Sequence, residues 1–504
     1  MSLLKRKLLL TVLAASLLLT TACQNADQPG SAVTPTGTVS DTPTPSAGIA
    51  IDENALQLQY DASQKEQEID GFGAGFTWYS NYAVDAHNSD EIMDLLFKDA
   101  GLSILRFKND YDYDSFEASA ATNLAFYEAA QARAEERGED VTILYTSWSP
   151  AAYLKSSGKV DGEGTLRRNQ NGEYDYEGFA QWWLEGVQAY REKGIPVDVI
   201  SIQNECDFIA SYESCEFDQT ETSKNACYAD AFLATYRLLR DTLGDEIPLM
   251  IGPETMTVSS IDLRMYVQKI IDEEPESLYA LAHHLYLGGT STDDPVYCDY
   301  DSFLFNFMDN KEFIQKNNCK AWQTEFYRGT SLQTANVINN SLTYENVSAY
   351  IYWGGIWEAQ KTDTIYDSNL IIVGKGIPNW PSEDGYLVCG DYYALRHFSE
   401  YIRPGYSRIT ASIKNDGNIR LSMYASPDQS RMVLVVINNG TEEETLQLPL
   451  EGYNVTGTKV IQSVFSENYT ADMLYQDKGS LSDQNKVTLP AESVTTIVID
   501  GSAK

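Results

Sequence analysis

Between residues 69 and 399 the chain alternates short apolar runs, rich in Val, Ile, Leu and Tyr, with longer stretches whose apolar residues recur every three or four positions. The short runs predict strands at 69–74, 102–107, 142–147, 197–203, 247–252, 278–285, 320–324 and 348–353. The longer stretches predict helices at 90–100, 123–136, 176–193, 230–242, 261–271 and 302–317. Strands separated by helices pair in parallel through right-handed crossovers, so eight such units over roughly 330 residues fit a (β/α)8 TIM barrel with enlarged loops. A doubly wound open sheet is the competing arrangement. The glycine run Gly71-Phe72-Gly73-Ala74-Gly75 speaks against it: the third glycine of a dinucleotide fingerprint is missing, and Thr77-Trp78-Tyr79 follows where a helix is needed. These glycines fit a tight turn passing close to other backbone.

Beyond Pro404 the period changes. Residues 419–424, 432–438, 445–450, 459–466 and 493–500 alternate apolar and polar positions between Gly, Asn-Gly and Pro-Asp turns, which predicts an antiparallel β-sandwich. A strand-like segment also precedes the barrel, so the two ends of the chain are expected to meet in one side domain. The resulting plan is a leader at 1–23, a linker at 24–50, a side-domain strand within 51–68, a barrel at 69–403 and a β-sandwich at 404–504.

The leader has the order of a secretory signal: Lys5, Arg6 and Lys7, then an apolar run over 8–19 too short to span a bilayer, then Thr20, Thr21, Ala22 and Cys23. A cysteine directly after small residues resembles a bacterial lipoprotein processing site, with Cys23 lipidated; ordinary cleavage nearby is the alternative. The following Thr/Pro/Ser-rich stretch has too few large apolar residues to offset the entropy of ordering it, and reads as a tether. An exported chain anchored to a membrane only through its N-terminal lipid is therefore expected.

Composition narrows the chemistry. The 504 residues include 36 Lys+Arg against 73 Asp+Glu, a formal net charge of −37, which gives nucleic-acid binding by counterion release no electrostatic basis. The four histidines and seven cysteines show no Cys-x-x-Cys or His-x-x-x-His spacing, so neither metal nor organic cofactor is expected. Without Cys23, Cys206, Cys215, Cys227, Cys298, Cys319 and Cys389 form an even set that permits disulfides without choosing a pairing. The chain is expected to act as a monomer.

Polar residues just after barrel strands project into the site at the C-terminal face. Two carboxylates stand there: Glu205 after the fourth predicted strand and Glu325 after the seventh. A carboxyl that lends a proton to a leaving oxygen, facing a carboxylate that attacks or stabilises the sugar cation, is the minimum apparatus for cleaving a glycosidic bond. A strand-end glutamate in so acidic a chain is unremarkable singly; the pair, flanked by Asn204 and Trp322, is what points to chemistry. Trp78, Trp148, Tyr153, Tyr286, Tyr327, Trp353 and Trp357 lie at or past strand ends, where rings can stack on sugars. Trp182 and Trp183 fall inside a helix and suit packing.

These motifs resemble those of glycoside hydrolase family 30, a group of retaining β-glycosidases. Gly71-Phe72-Gly73-Ala74, Leu105-Arg106-Phe107, Ser147-Trp148-Ser149-Pro150, Ser201-Ile202-Gln203-Asn204-Glu205, His284-Leu285-Tyr286, Trp322-Gln323-Thr324-Glu325 and 398–405 fall in that family's order. The resemblance implies a barrel with a β-sandwich built from both termini. It implies Glu205 as acid/base and Glu325 as nucleophile, Asn204 on the sugar 2-hydroxyl, and Arg106 steadying Glu325. Trp78, Trp148, Tyr286, Trp353, His284 and Tyr327 are the expected sugar contacts, with Arg106 and Asn204 among them. Cys206 stands where the family commonly has Pro, and Phe326 where its xylanases often have His. The stretch from Ser147 to Lys155 looks most like the xylan-cleaving branch, which implies an endo-β-1,4-xylanase. Between Gly354 and Trp380 only Lys361 and Lys375 supply positive charge, which implies little dependence on glucuronate side groups. Other family 30 activities (β-1,6-glucanase, β-xylosidase, β-glucosidase) and a non-catalytic polysaccharide-capturing lipoprotein are the alternatives.

Overall fold

The computed structural model describes residues 50–286, 301–327, 329–360, 362–374, 385–414, 417–450 and 452–504. The expected leader with Cys23, and Cys298, Lys361 and Lys375, lie outside the described residues.

Eight parallel strands close into a barrel: Gly71–Gly75, Ile104–Lys108, Thr142–Thr146, Val199–Ser201, Leu249–Thr255, Ala280–His284, Lys320–Glu325 and Ala349–Tyr352. Each pairs with its sequence neighbours, and the eighth closes on the first through Ala349↔Gly71. The competing open sheet is thereby excluded. Inward-pointing Ile104, Leu144, Val199, Ile251, Ala280, Ala282, Trp322, Ala349 and Ile351 form one buried cluster, so the barrel is packed rather than hollow. Gly73 is needed for the closure, because a Cβ there would stand 2.2 Å from the Ile104 carbonyl oxygen.

The surrounding helices follow their apolar stripes. In Tyr176–Glu192 the Asp175 carboxylate caps the N-terminus by accepting from Gly178 N at 3.0 Å. The same helix buries Phe179, Trp182, Trp183, Val187 and Tyr190, so both tryptophans pack as expected, and Trp182 donates its indole N–H to the Tyr111 carbonyl.

The strand Leu56–Glu68 joins the C-terminal half of the chain, pairing antiparallel with Ser407–Ile413 and, at Leu56 and Gln57, parallel with Glu444–Gln447. It thereby links the two layers of a nine-stranded side domain. Between the layers lie Leu58, Met432, Leu434, Val436, Leu446, Val487, Leu489, Ile497 and Ile499. The opposite face of Arg431–Asn438 is also covered: Val433, Val435 and Ile437 join the core that surrounds the barrel. Where Gly390–Ser399 meets the side domain, His397 is fully buried and both ring nitrogens are used, Nδ1 at 2.9 Å from Thr496 Oγ1 and Nε2 at 2.8 Å from Ser463 Oγ. Thr496 donates its own proton to the His397 carbonyl, so it accepts from Nδ1–H and leaves Nε2 to accept from Ser463. That neutral tautomer fits the ring's burial, which pushes the imidazole down to about 3.

None of the described cysteines is paired: Cys206, Cys215, Cys227, Cys319 and Cys389 are free thiols. All but Cys319 are buried, so they serve as small apolar side chains.

Candidate active site

The site gathers at the C-terminal ends of the second, fourth, fifth, sixth and seventh strands. After Val199–Ser201 the chain runs through Ile202 and Gln203 to Asn204 and Glu205, and hydrogen bonds from Asn204 N to the Ser147 carbonyl (2.7 Å) and from Glu205 N to the Glu254 carbonyl (2.8 Å) tie it to strands three and five. Glu205 has φ 45° and Glu254 φ 53°, left-handed conformations that cost a non-glycine residue about 1–3 kcal/mol and persist only where their surroundings enforce them. Glu325 ends its strand without a left-handed φ, just past a register irregularity between Gln323 and Glu325 against the sixth strand.

Carboxylate oxygens of Glu205 and Glu325 lie within 4.8 Å of each other, with a ring nitrogen of His284 within the same distance of both. Each glutamate is almost buried yet keeps a small accessible surface, 5% for Glu205 and 6% for Glu325, as a cleft-facing acid must. Arg106 has none. Its guanidinium donates from Nη1 to Glu325 Oε2 at 2.7 Å, from Nη2 to Asn204 Oδ1 at 2.7 Å and from Nε to Thr146 Oγ1 at 3.3 Å, with Glu254 Oε2 3.4 Å from Nη2. Because Arg106 offers no acceptor, Asn204 must turn its carbonyl oxygen inward, leaving its amide N–H2 as the group for a ligand. The face of the guanidinium lies 4.7 Å from the Trp148 ring centroid.

His284 is fully buried, with Nδ1 3.0 Å from Glu205 Oε1 and Nε2 3.9 Å from both Glu254 Oε1 and Glu325 Oε2. Burial alone would lower its basicity, but the charges of Glu325, Glu205 and Glu254 overcome that and raise the imidazole to about 9. Glu254, also fully buried, is pushed up by desolvation, yet Arg106 and His284 hold it down at about 2. Burial pushes the Glu325 carboxyl above the ordinary carboxylate value, and the positive charges of His284 and Arg106 oppose that rise. Glu205, His284 and Glu325 are close enough to share a cation, but Arg106 and His284 already occupy the carboxylates, so this donor set is an ion-pair cluster rather than an open coordination site.

Above the acids, Trp78 stands edge-on to Trp148 (5.7 Å) and Trp353 (5.3 Å), and Tyr286 lies beside Phe326 and Tyr327. Trp148, over Arg106, ties the first group to the acids, and Tyr286, edge-on to His284 at 6.1 Å, ties the second. Two residues expected among the sugar contacts are corrected: Arg106 and His284 have no surface for a sugar, and act on the carboxylates. Tyr153 is half exposed beside Arg167, and Trp357 packs on Tyr79.

Sequence reasoning missed three residues. Glu254 obeys the same strand-end rule that picked out Glu205 and Glu325, and applying that rule to the fifth strand would have found it. Tyr212 lies in the loop after the fourth strand, its ring 5.8 Å from Trp78, and its hydroxyl is raised by burial and by the charges of Glu205 and Glu325. Lys108 pairs with Glu213 at 2.8 Å and Asp110 at 3.0 Å, tying that loop to the second strand. No residue pattern marks either of these.

Residues 103–221 match the family model described as "Glycosyl hydrolase family 30 TIM-barrel domain". Among curated relatives, a putative glucosylceramidase 1 of Caenorhabditis elegans is 21% identical, over 89% of this chain and 84% of its own length. The glucuronoxylanase XynC of Bacillus subtilis is 23% identical, over 71% of this chain and 73% of its own. Among solved structures, the catalytic domain of a family 30 xylanase C from Talaromyces cellulolyticus superposes with a TM-score of 0.67 at 19% identity, over 88% of this chain and 99% of that one.

Proposed function

We propose, from the premise that this chain carries the glycoside hydrolase family 30 barrel, that it is a retaining endo-β-1,4-xylanase. In this reading Glu325 attacks the anomeric carbon while Glu205 protonates the departing oxygen; Glu205 then takes a proton from water, and that water releases the sugar from Glu325. The observation that carries the reading is the closeness of the two carboxylates, within 4.8 Å at the mouth of the barrel. Retaining enzymes place these groups about 5–5.5 Å apart, whereas inverting ones leave about 6.5–9.5 Å for a water. The xylan preference is supported by the stretch from Ser147 to Lys155 and by the xylanases among the similar proteins. Little dependence on glucuronate follows from the few cations after the eighth strand. The signal-like leader and Cys23 support export and lipid anchoring.

A second reading, another β-glycosidase of the family such as a β-glucosidase or β-1,6-glucanase, is favoured by the relative named as a glucosylceramidase, which spans the larger share of this chain. Release of reducing sugar from glucuronoxylan, arabinoxylan, pustulan and aryl β-glycosides separates the readings. Equal cleavage of both xylans, lost in Glu325→Gln, is expected. Cleavage of pustulan alone supports the second reading, and binding to glycans without turnover points to a capture protein.

A further inference from the structure

The reaction proposed above needs two carboxyl groups, but the barrel buries a third among them, Glu254, with two cations. The inference rests on the two-glutamate reading. We propose that Glu254 is a positioning residue that keeps His284 protonated, so that the active-site cluster carries no net charge in either resting state of the catalytic cycle.

The charges can be followed through the reaction. Before attack, Glu205 holds its proton, Glu325 and Glu254 are ionised, and Arg106 and His284 are each positive: two negative and two positive charges. In the glycosyl-enzyme, Glu325 is an uncharged ester, Glu205 has become an anion by giving its proton to the leaving oxygen, and Glu254 remains ionised: again two and two. Hydrolysis returns a proton from water to Glu205 and the remaining hydroxyl to the sugar, which restores the first state. Without Glu254 both states would hold one surplus positive charge in a nearly dry site, where uncompensated charge is expensive. The group that relieves such a surplus is His284, by losing its proton. It would then have a single N–H to share between Glu205 on one side and Glu325 on the other.

The geometry supports this role. Glu254 has no exposed surface, so it cannot contact a sugar, and nothing in the two-step chemistry requires it. Its Oε2 faces Arg106 at 3.4 Å, while its Oε1 has no hydrogen-bond partner although it is buried. His284 Nε2 is likewise buried and unpartnered, and lies 3.9 Å from that same Oε1. Two orphaned groups facing each other at this separation form a long ion pair in which an N–H is directed at a carboxylate. The opposite nitrogen, Nδ1, is 3.0 Å from Glu205 Oε1 and must donate if Nε2 also carries a proton. The other ionisable groups near these two are Asp207 after the fourth strand, Cys206 beside it, Tyr228 on the helix Tyr228–Leu243 and Tyr286 after the sixth strand. Burial keeps the Cys206 thiol and both phenols neutral; Asp207, raised only to about 6, is ionised at neutral pH, but it is exposed to solvent and accepts from Met256 N at 2.8 Å, so its charge is screened outside the buried cluster. None of them replaces the fixed charge of Glu254. The left-handed backbone at Glu254 is the local cost of aiming its carboxylate inward.

The test uses the whole enzyme and the variant Glu254→Gln. The chain has only four histidines, so the imidazole carbon-bound protons of His284 can be assigned by substituting each in turn and titrated by NMR. In the wild type His284 stays protonated through neutral pH. In Glu254→Gln its proton release moves down by about 1 to 3 pH units, the loss of one opposite charge at close range. The basic limb of the kcat profile moves down in parallel, kcat at neutral pH falls about tenfold or more, and KM changes little. Glu254→Asp, which keeps the charge, restores the position of the limb. A purely structural role predicts lower thermal stability with an unmoved His284 titration and pH profile, and that result overturns the proposal. If Glu254→Gln does not fold, the wild type decides: a His284 neutral at pH 7 overturns the proposal, and a protonated one supports it. Should the wild type cleave no glycoside, the hydrolase reading fails while the His284 titration still tests the charge assignment.

Discussion

Replacing Arg106 with lysine keeps one positive charge inside the barrel but removes the planar fork that distributes it. The guanidinium bonds Glu325 and Asn204 from different nitrogens, each at 2.7 Å, and its Cζ lies over the Trp148 ring, 4.7 Å from the centroid. A lysine Nζ is one centre on a flexible stem, and cannot hold both partners in the guanidinium's geometry. If it keeps Glu325, the better-charged partner, the variant loses the bond to Asn204, worth about 1.5–3 kcal/mol for a charged donor. Asn204 then rotates freely. Hydrogen bonds to the sugar 2-hydroxyl, the role that the family resemblance implies for Asn204, strengthen in the transition state, so the loss falls on kcat, by about 10- to 150-fold at 1.36 kcal/mol per tenfold. The charge is retained, so the protein folds and circular dichroism is native. Arg106→Met is harsher: it leaves the buried carboxylates of Glu325 and Glu254 with only His284 to balance them, with an expected destabilisation of about 3–5 kcal/mol. The assay is kcat and KM for both variants on the best xylan or aryl glycoside, together with thermal unfolding. An unchanged kcat in Arg106→Lys, or a lysine variant as unstable as the methionine one, refutes the reasoning.

Other consequences are independent of that network. His397 is held near 3 in the folded chain against 6.5 for a free imidazole, so above pH 6.5 it does not affect the balance. Below that, only the unfolded chain takes the proton, and stability falls by about 1.4 kcal/mol per pH unit until the folded ring titrates. Denaturant midpoints between pH 6 and 4 should therefore fall less steeply in His397→Gln than in the wild type; identical slopes contradict the assignment. Tyr212→Ala should raise KM about tenfold, near 1.4 kcal/mol, with a smaller change in kcat, because a ring over the cleft adds binding in ground and transition states alike. An unmoved KM removes Tyr212 from the cleft. Thiol titration of the denatured, unreduced protein should return at least Cys206, Cys215, Cys227, Cys319 and Cys389 as free groups; fewer than five contradicts the structure.

The barrel was legible because its strands are short, strongly apolar and spaced by periodic helices, and the acids were legible because the fold places chemistry at strand ends. Position places Glu205 and Glu325 at strand ends, and the family resemblance singles them out, since position alone also fits Glu254. The helix Phe116–Glu135 starts seven residues before its expected start at 123, because Glu117-Ala118-Ser119-Ala120-Ala121-Thr122 carries little apolar period to mark it. In Arg431–Asn438 the run Met432-Val433-Leu434-Val435-Val436-Ile437 hides the alternation expected of a one-sided sheet, since odd and even positions enter two different cores. The family resemblance put Arg106 and His284 among the sugar contacts, while also giving Arg106 the task of steadying Glu325 that its 2.7 Å bond fits. Their depth depends on neighbouring loops, and burial is what turns them from ligand contacts into partners of the acids. Tyr212 depends on how a long loop folds back, which local pattern does not encode.

The account stands on opposite tasks for two glutamates, and azide rescue separates them. With an activated aryl β-glycoside, Glu325→Ala plus azide should give the α-glycosyl azide, because azide enters the face that the missing nucleophile vacates. Glu205→Ala plus azide should give the β-azide, because azide then attacks the glycosyl-enzyme from the other face. NMR of the anomeric proton distinguishes the two products. The α-azide from Glu325→Ala and the β-azide from Glu205→Ala are the predicted result; the reverse, or no rescue of either variant in an enzyme whose wild type is active, contradicts the assignment.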